Sequence, residues 1–205
     1  MLIVFDLDDT LIDTSGSVLP LLLQKVTEGL APKSQKQLER MNGSAKSSKE
    51  SINEFFEISD LKKQSLKNPS LHQIKTLDGV REVLRTLSLE HELALVTIGE
   101  ESFQREKIKQ AGIDLHLFSD VVVCKDKYLV YGKLIQKYSC NPSQVVVIGD
   151  RIDRDLTPAK LLGCKTIHIK WGRGVNFSDR RGHVDFAVSN LKQILDILPN
   201  IEIFS

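Results

Sequence analysis

Short apolar stretches rich in β-branched residues alternate along most of the chain with longer stretches whose apolar residues recur at helical spacing. Each short stretch ends at a polar turn, a pattern that predicts a β-strand. The predicted strands are residues 2–5, 93–96, 120–123, 145–148 and 165–169. The predicted helices are residues 79–89, 102–111, 129–138, 156–162 and 191–198, the last of them ended by Pro199. This alternation predicts an α/β fold with a doubly wound parallel sheet and helices on both of its faces.

Residues 14–75 depart from this alternation. No strand-like stretch occurs there, and apolar residues such as Leu19, Leu22 and Val26 recur at helical spacing. We therefore predict a small α-helical domain, residues 14–75, inserted into an α/β core domain formed by residues 1–13 and 76–205.

Polar residues that follow the predicted strands carry the candidate chemistry. The first strand ends in Asp6 and Asp8, and two carboxylates so close together repel each other unless a cation or a shared proton relieves them. The pair therefore predicts a metal ion, with one acid ionised and the other protonated. Because the carboxyl ends of parallel strands meet at one edge of a sheet, other strand-end groups should join the pair. These are the hydroxyl of Thr97 and the amides after it, the cation of Lys125, and the carboxylates of Asp150, Asp153 and Asp155. Together they can bind a divalent cation such as Mg²⁺ and a phosphate group.

Composition excludes several other classes of protein. The net charge of +1 gives no strong field for a nucleic acid polymer or an anionic membrane, and no apolar stretch is long enough to cross a bilayer. Hydrophobic strand residues begin at position 2 without a basic leader, which predicts that there is no signal peptide. The three cysteines have no paired spacing, which predicts a cytoplasmic protein without a zinc site.

The order of the strand-end groups resembles the haloacid dehalogenase (HAD) superfamily, and within it the phosphatases with a helical cap, such as the phosphoglycolate phosphatases. The resemblance covers residues 1–13 and about 76–199 and implies a Rossmann-like core. The ordered set of motifs is specific, although each motif alone is not. Residues 6–10 resemble the family's D-x-D-x-T, Thr97 its strand-end Thr or Ser, Lys125 its Lys, and residues 149–155 its G-D-x(4)-D.

The resemblance implies a Mg²⁺-dependent phosphatase that forms a covalent aspartyl phosphate. Asp6 would be the nucleophile, and a protonated Asp8, oriented by Thr10, would donate a proton to the leaving oxygen. The phosphoryl group would be held by Thr97, Ile98, Lys125 and Thr10. The metal ligands would be the carboxylates of Asp6, Asp150 and Asp155 and the backbone carbonyl of Asp8.

Two residue assignments have alternatives. Lys125 lies 25 residues before Asp150 and has Tyr131 at the family's aromatic spacing, but Lys127 and Lys133 lie in the same interval. Asp153 is the alternative to Asp155.

The expected substrate is a small phosphorylated metabolite, such as a sugar phosphate, phosphoglycolate or a nucleotide monophosphate. Thr14, Ser15, Arg40, Lys46 and Lys49 are candidates for substrate contacts. A phosphomutase would share every core motif, and a catalytically silent binding or regulatory module is a further alternative. The sequence leaves the oligomeric state open.

Overall fold

The structure is a computed structural model, and it describes residues 1–20, 74–176, 178 and 182–203. Six parallel strands form the centre of this part of the chain. The strand order is β3-β2-β1-β4-β5-β6. The winding therefore reverses between β1 and β4, the kind of switch point at which open α/β sheets bind ligands. The strands are β1 Leu2–Phe5, β2 Glu92–Ile98, β3 Asp120–Cys124, β4 Val145–Gly149, β5 Lys165–Ile169 and β6 Phe186–Val188.

Helices cover both faces of the sheet and bury two apolar clusters. Ile3 and Phe5 of β1 belong to one cluster, and Leu2 and Val4 to the other, because successive strand residues point to opposite faces. The α-helices that lie entirely within the described residues are α1 Val80–Leu87, α2 Glu101–Gln110, α3 Lys127–Lys137, α4 Thr157–Leu161 and α5 Ile194–Ile203. The first cluster packs under α1, α2 and α5, and the second under α3 and α4. None of the described helices is both long and apolar enough to span a bilayer.

The predicted strands and helices are confirmed, with shifts of a few residues at their ends, and the doubly wound parallel sheet is confirmed with them. The strand β6 was not predicted because three residues are too short to show a period. The prediction that Pro199 ends the last helix is wrong, since α5 continues to Ile203. Ile201, beyond the proline, is buried in the core, and this burial offsets the lost helical hydrogen bond.

The two ends of the predicted insertion lie side by side. Ile12 and Thr76 form an antiparallel bridge, and the Asp13 amide donates a 2.8 Å hydrogen bond to the Lys75 carbonyl. The intervening chain therefore leaves and re-enters the core at one point. Residues 21–73 lie outside the described residues, so the helical domain at 14–75 stays a prediction, as do substrate contacts by Arg40, Lys46 and Lys49.

Candidate active site

Three buried carboxylates meet where β1 and β4 end. Asp6 extends β1, and its amide donates a 2.9 Å hydrogen bond to the Ile148 carbonyl of β4. Asp150 directly follows β4, and Asp155 lies one helical turn later. One carboxylate oxygen from each of the three lies within 4.8 Å of the others. The strand ends thus bring together three of the predicted metal-binding side chains.

Asp155, rather than Asp153, belongs to this cluster. The π-helical turn Ile152–Leu156 directs Asp155 towards the strand ends, where it accepts a 2.9 Å hydrogen bond from the Arg151 amide. A Cβ atom at Gly149 would lie 2.5 Å from the Asp155 carboxylate, so the approach requires glycine. The Asp153 side chain is 46% exposed and pairs with the Arg151 guanidinium at 2.9 Å.

The cation beside Asp6 is Lys127. Its buried Nζ lies 2.5 Å from Asp6 Oδ1 and 2.7 Å from Asp155 Oδ1. The assignment of Lys125 is corrected, because Lys125 is exposed. Asp126 caps α3, so Lys127 opens the helix and reaches the strand ends, whereas Lys125 precedes the cap. Lys133, the other alternative, is exposed further along α3.

A second buried lysine, Lys107 of α2, pairs with Asp8. Its Nζ donates hydrogen bonds to both carboxylate oxygens of Asp8, at 2.7 Å for Oδ2. Gln104, one turn earlier on the same helix, donates a 3.0 Å hydrogen bond to Oδ2, and the Thr14 hydroxyl donates to Oδ1. The sequence analysis did not identify Gln104 or Lys107. The available signal was a Gln-x-x-Lys spacing, which places both on one helix face directly after the Thr97 turn.

Thr97 is buried at the end of β2 and is held by the same glutamine. Gln104 Nε2 lies 2.6 Å from Thr97 Oγ1 and 2.8 Å from the Ile98 carbonyl oxygen, so its two hydrogens are shared among these two acceptors and Asp8 Oδ2. Because the Thr97 oxygen is acting as an acceptor, its own hydrogen remains available for an anion. Among the described residues the buried Thr10 hydroxyl has no hydrogen-bond partner, so Thr14, not Thr10, is the hydroxyl on Asp8. Ser15 contacts Asp9 instead.

The two aspartates of the first motif have widely separated pKa values. Burial raises the pKa of Asp6 to about 7, in spite of the opposing charge of Lys127. Burial also acts to raise the pKa of Asp8, but the charge of Lys107 and the hydrogen bonds from three donors outweigh it and lower this pKa to about 2. The order of these two pKa values is the reverse of the one that the resemblance implies, in which Asp8 is the protonated acid. A divalent cation on the cluster would lower the pKa of Asp6, because a nearby positive charge favours the carboxylate.

The cluster of Asp6, Asp150 and Asp155 has the chemistry of a magnesium site. Its donors are hard carboxylate oxygens, which Mg²⁺ prefers to nitrogen or sulfur. Their mutual spacing of at most 4.8 Å is close to that of ligands around one small cation. The Asp8 carboxylate points to Lys107, so only the backbone of Asp8 is left to contribute to this group.

The chain belongs to the haloacid dehalogenase-like hydrolase family, whose model matches residues 3–169. Among its relatives is a protein of Methanocaldococcus jannaschii named glyceraldehyde 3-phosphate phosphatase, which is 30% identical over 149 residues. That match covers 68% of this chain and 60% of the relative, so the chain spans less than two thirds of that protein's length.

Solved structures share the fold. A haloacid dehalogenase-like hydrolase from Burkholderia xenovorans aligns with a TM-score of 0.75 at 15% identity, covering 98% of this chain and 97% of that one. A predicted phosphoglycolate phosphatase from Haemophilus somnus aligns with a TM-score of 0.68 at 20% identity, covering 96% and 97% of the two chains. At these identities the likeness shows the fold alone.

Proposed function

We propose that this protein is a Mg²⁺-dependent phosphatase that hydrolyses a small phosphomonoester through an aspartyl phosphate on Asp6. The observation that carries the proposal is the buried cluster at the switch point, in which Asp6 contacts Lys127 and lies beside Asp150 and Asp155. A carboxylate attacking a phosphate needs its charge offset, and both a lysine and a cation site are within reach.

Asp6 would attack phosphorus in line with the leaving oxygen. The Lys127 ammonium, 2.5 Å from Asp6 Oδ1, reduces the repulsion between the carboxylate and the approaching phosphate. The Thr97 hydroxyl and the amides that follow it, including Ile98, would donate to phosphoryl oxygens. Mg²⁺, held by Asp6, Asp150 and the Asp8 carbonyl, with Asp155 direct or through water, would supply positive charge against the developing negative charge.

Asp8 would move the proton. An approaching phosphate dianion raises the pKa of a nearby carboxyl, because like charge disfavours the ionised form. Asp8 would then take up a proton from solvent and pass it to the leaving oxygen, and the ionised Asp8 would remove a proton from the water that hydrolyses the aspartyl phosphate.

The substrate would be a small phosphorylated metabolite. The name of the Methanocaldococcus relative favours glyceraldehyde 3-phosphate or a similar short-chain phosphate as the first compound to test. We propose that the inserted residues 14–75 determine which substrate binds, since proteins with many different activities share such a core site. The three free cysteines fit a cytoplasmic protein. A phosphomutase remains the second candidate from the same family, whereas a silent module is disfavoured because Asp6, Asp8 and Asp150 are all present.

A panel of phosphomonoesters, assayed with Mg²⁺ and with excess chelator, tests the proposal. The panel includes p-nitrophenyl phosphate, glyceraldehyde 3-phosphate, phosphoglycolate, phosphoserine and a nucleotide monophosphate. We expect phosphate release from at least one ester, loss of that release in chelator, and its return when Mg²⁺ is restored. Release that continues undiminished in chelator would contradict the metal site. Isomerisation of a sugar phosphate without release would identify a mutase.

A further inference from the structure

We propose that Gln104 and Lys107 of α2 are positioning residues that hold the Asp8 carboxylate and the Thr97 hydroxyl in one geometry. The inference rests on the proposed function, in which Asp8 moves the proton and Thr97 binds the phosphoryl group. It assigns a role to a helix that carries none of the recognisable motifs.

The contacts are direct and buried. Lys107 and Gln104 are 3% and 2% exposed, and both reach Asp8, about a hundred residues earlier in the chain. Their neighbours Arg105 and Lys109 on the same helix are exposed. The two inward-facing side chains are therefore the polar part of a helix face that otherwise packs on the sheet through residues such as Ile108.

Lys107 is poorly explained by stability alone. Burying an ammonium and a carboxylate costs desolvation energy, and apolar residues of similar volume often stabilise a protein as well or better. The ion pair instead fixes the orientation of the Asp8 carboxylate, because two hydrogen bonds from one ammonium restrict its rotation. The Lys107 ammonium also lies over the Phe103 ring, with Nζ 5.3 Å from the ring centroid, within range of a cation–π interaction.

Gln104 connects the two functional groups. Its Nε2 lies 3.0 Å from Asp8 Oδ2 and 2.6 Å from Thr97 Oγ1, so a single amide group touches both. Its contact with the Ile98 carbonyl ties the same amide to the turn after β2. We expect this shared amide to restrict the distance between the Asp8 carboxylate and the Thr97 hydroxyl, as a preorganised site requires.

This arrangement predicts an effect that depends on the leaving group. An alkoxide leaves poorly and needs the proton from Asp8, whereas p-nitrophenolate leaves without one. In Lys107→Met we expect the single-turnover rate of phosphorylation by glyceraldehyde 3-phosphate, or by the best alkyl ester of the panel, to fall by about 30- to 1,000-fold. For p-nitrophenyl phosphate we expect the same step, measured as the burst of p-nitrophenolate, to slow by less than about fivefold, whereas the later hydrolysis of the aspartyl phosphate needs Asp8 for both esters. Lys109→Met, an exposed lysine of the same helix, is the matched control and should behave as wild type for both esters.

A double-mutant cycle tests whether Lys107 acts through Asp8. In the Asp8→Asn background, Lys107→Met should cause no further loss of kcat with the alkyl ester, because the group it positions is gone. Gln104→Met is the second variant, and it should lower kcat for the alkyl ester while also raising KM for both esters, since Gln104 also holds Thr97. Thermal unfolding of each variant checks that it is folded.

Equal losses in the phosphorylation rate for both esters in folded Lys107→Met and Gln104→Met, or additive losses in the cycle, would overturn the inference. These outcomes differ from a failure of the proposed function, in which wild type would hydrolyse no ester in Mg²⁺ or Asp6→Asn would keep its activity. If Lys107→Met did not fold, Gln104→Met with its leaving-group dependence would decide the matter alone.

Discussion

Asp6 and Asp8 lie two residues apart, yet the fold gives them opposite surroundings. Asp6 ends a central strand and shares the buried Lys127 of α3 with Asp155. Asp8 lies in the turn beyond, where Lys107 of α2 is paired with it and Gln104 and Thr14 add further donors. The two lysines approach from helices on opposite faces of the sheet.

The difference shows that proximity in sequence does not determine the electrostatics of a carboxylate. Burial raises the pKa of Asp6 to about 7, whereas at Asp8 the charge of Lys107 and the hydrogen bonds from three donors together outweigh burial and lower the pKa to about 2. The chain turns sharply between the strand and the insertion, with Asp9 at φ 55°. This turn directs Asp8 away from the carboxylate cluster and towards α2.

Replacement of each aspartate by asparagine gives the largest expected effect. We expect Asp6→Asn to lose more than about 1,000-fold in kcat and to lose all acid-stable, hydroxylamine-sensitive phosphate labelling, because the amide cannot form the acyl phosphate. The Asp8→Asn variant should hydrolyse p-nitrophenyl phosphate slowly and still be labelled by it, since attack on phosphorus requires only Asp6. Quenched-flow labelling with ³²P-labelled ester measures both. Equal labelling of wild type and Asp6→Asn would refute the nucleophile assignment.

The lysine beside Asp6 gives the next largest effect. Lys127→Met should lower kcat by about 100- to 1,000-fold with p-nitrophenyl phosphate as well as with alkyl esters, because Lys127 faces the attacking carboxylate and not the leaving group. The loss of kcat in Lys127→Met should not depend on the leaving group, and this would distinguish the variant from Lys107→Met. Lys125→Met is the matched control and should stay within about twofold of wild type, as expected for an exposed lysine. A larger loss in Lys125→Met would restore the original assignment.

The sheet was predictable because its central strands are continuous apolar stretches, buried on both faces, and each ends in a polar turn. The meeting of Asp6, Asp150 and Asp155 followed from the same topology, since parallel strands bring their carboxyl ends together. Their catalytic roles stay predictions.

What the sequence did not predict depends on where helices begin and which way they face. Whether Lys125 or Lys127 reaches Asp6 depends on where α3 begins, and α3 begins at Lys127 because Asp126 caps the helix. Gln104 and Lys107 lie in a polar stretch that is typical of a solvent-exposed helix. Only the packing of α2 against the sheet shows that these two polar side chains point inward.

The smallest expected effect concerns the number of donors on Asp8. Thr14→Val removes one of three donors and leaves Lys107 and Gln104 in contact with the carboxylate, so it should lower kcat for an alkyl ester by less than about tenfold. We expect the free energy of unfolding to fall by about 1 kcal/mol, which corresponds to a fall in Tm of roughly 2–4 °C for a chain of this size. Thr14→Ser keeps the hydroxyl and should restore both quantities. Among the described residues Asp6 has one lysine partner and no such reserve, so removing Lys127 should cost far more than removing Thr14. If Thr14→Val proved as damaging as Lys107→Met, the donors on Asp8 would act as a unit, and the contrast between a redundantly held Asp8 and a singly held Asp6 would fail.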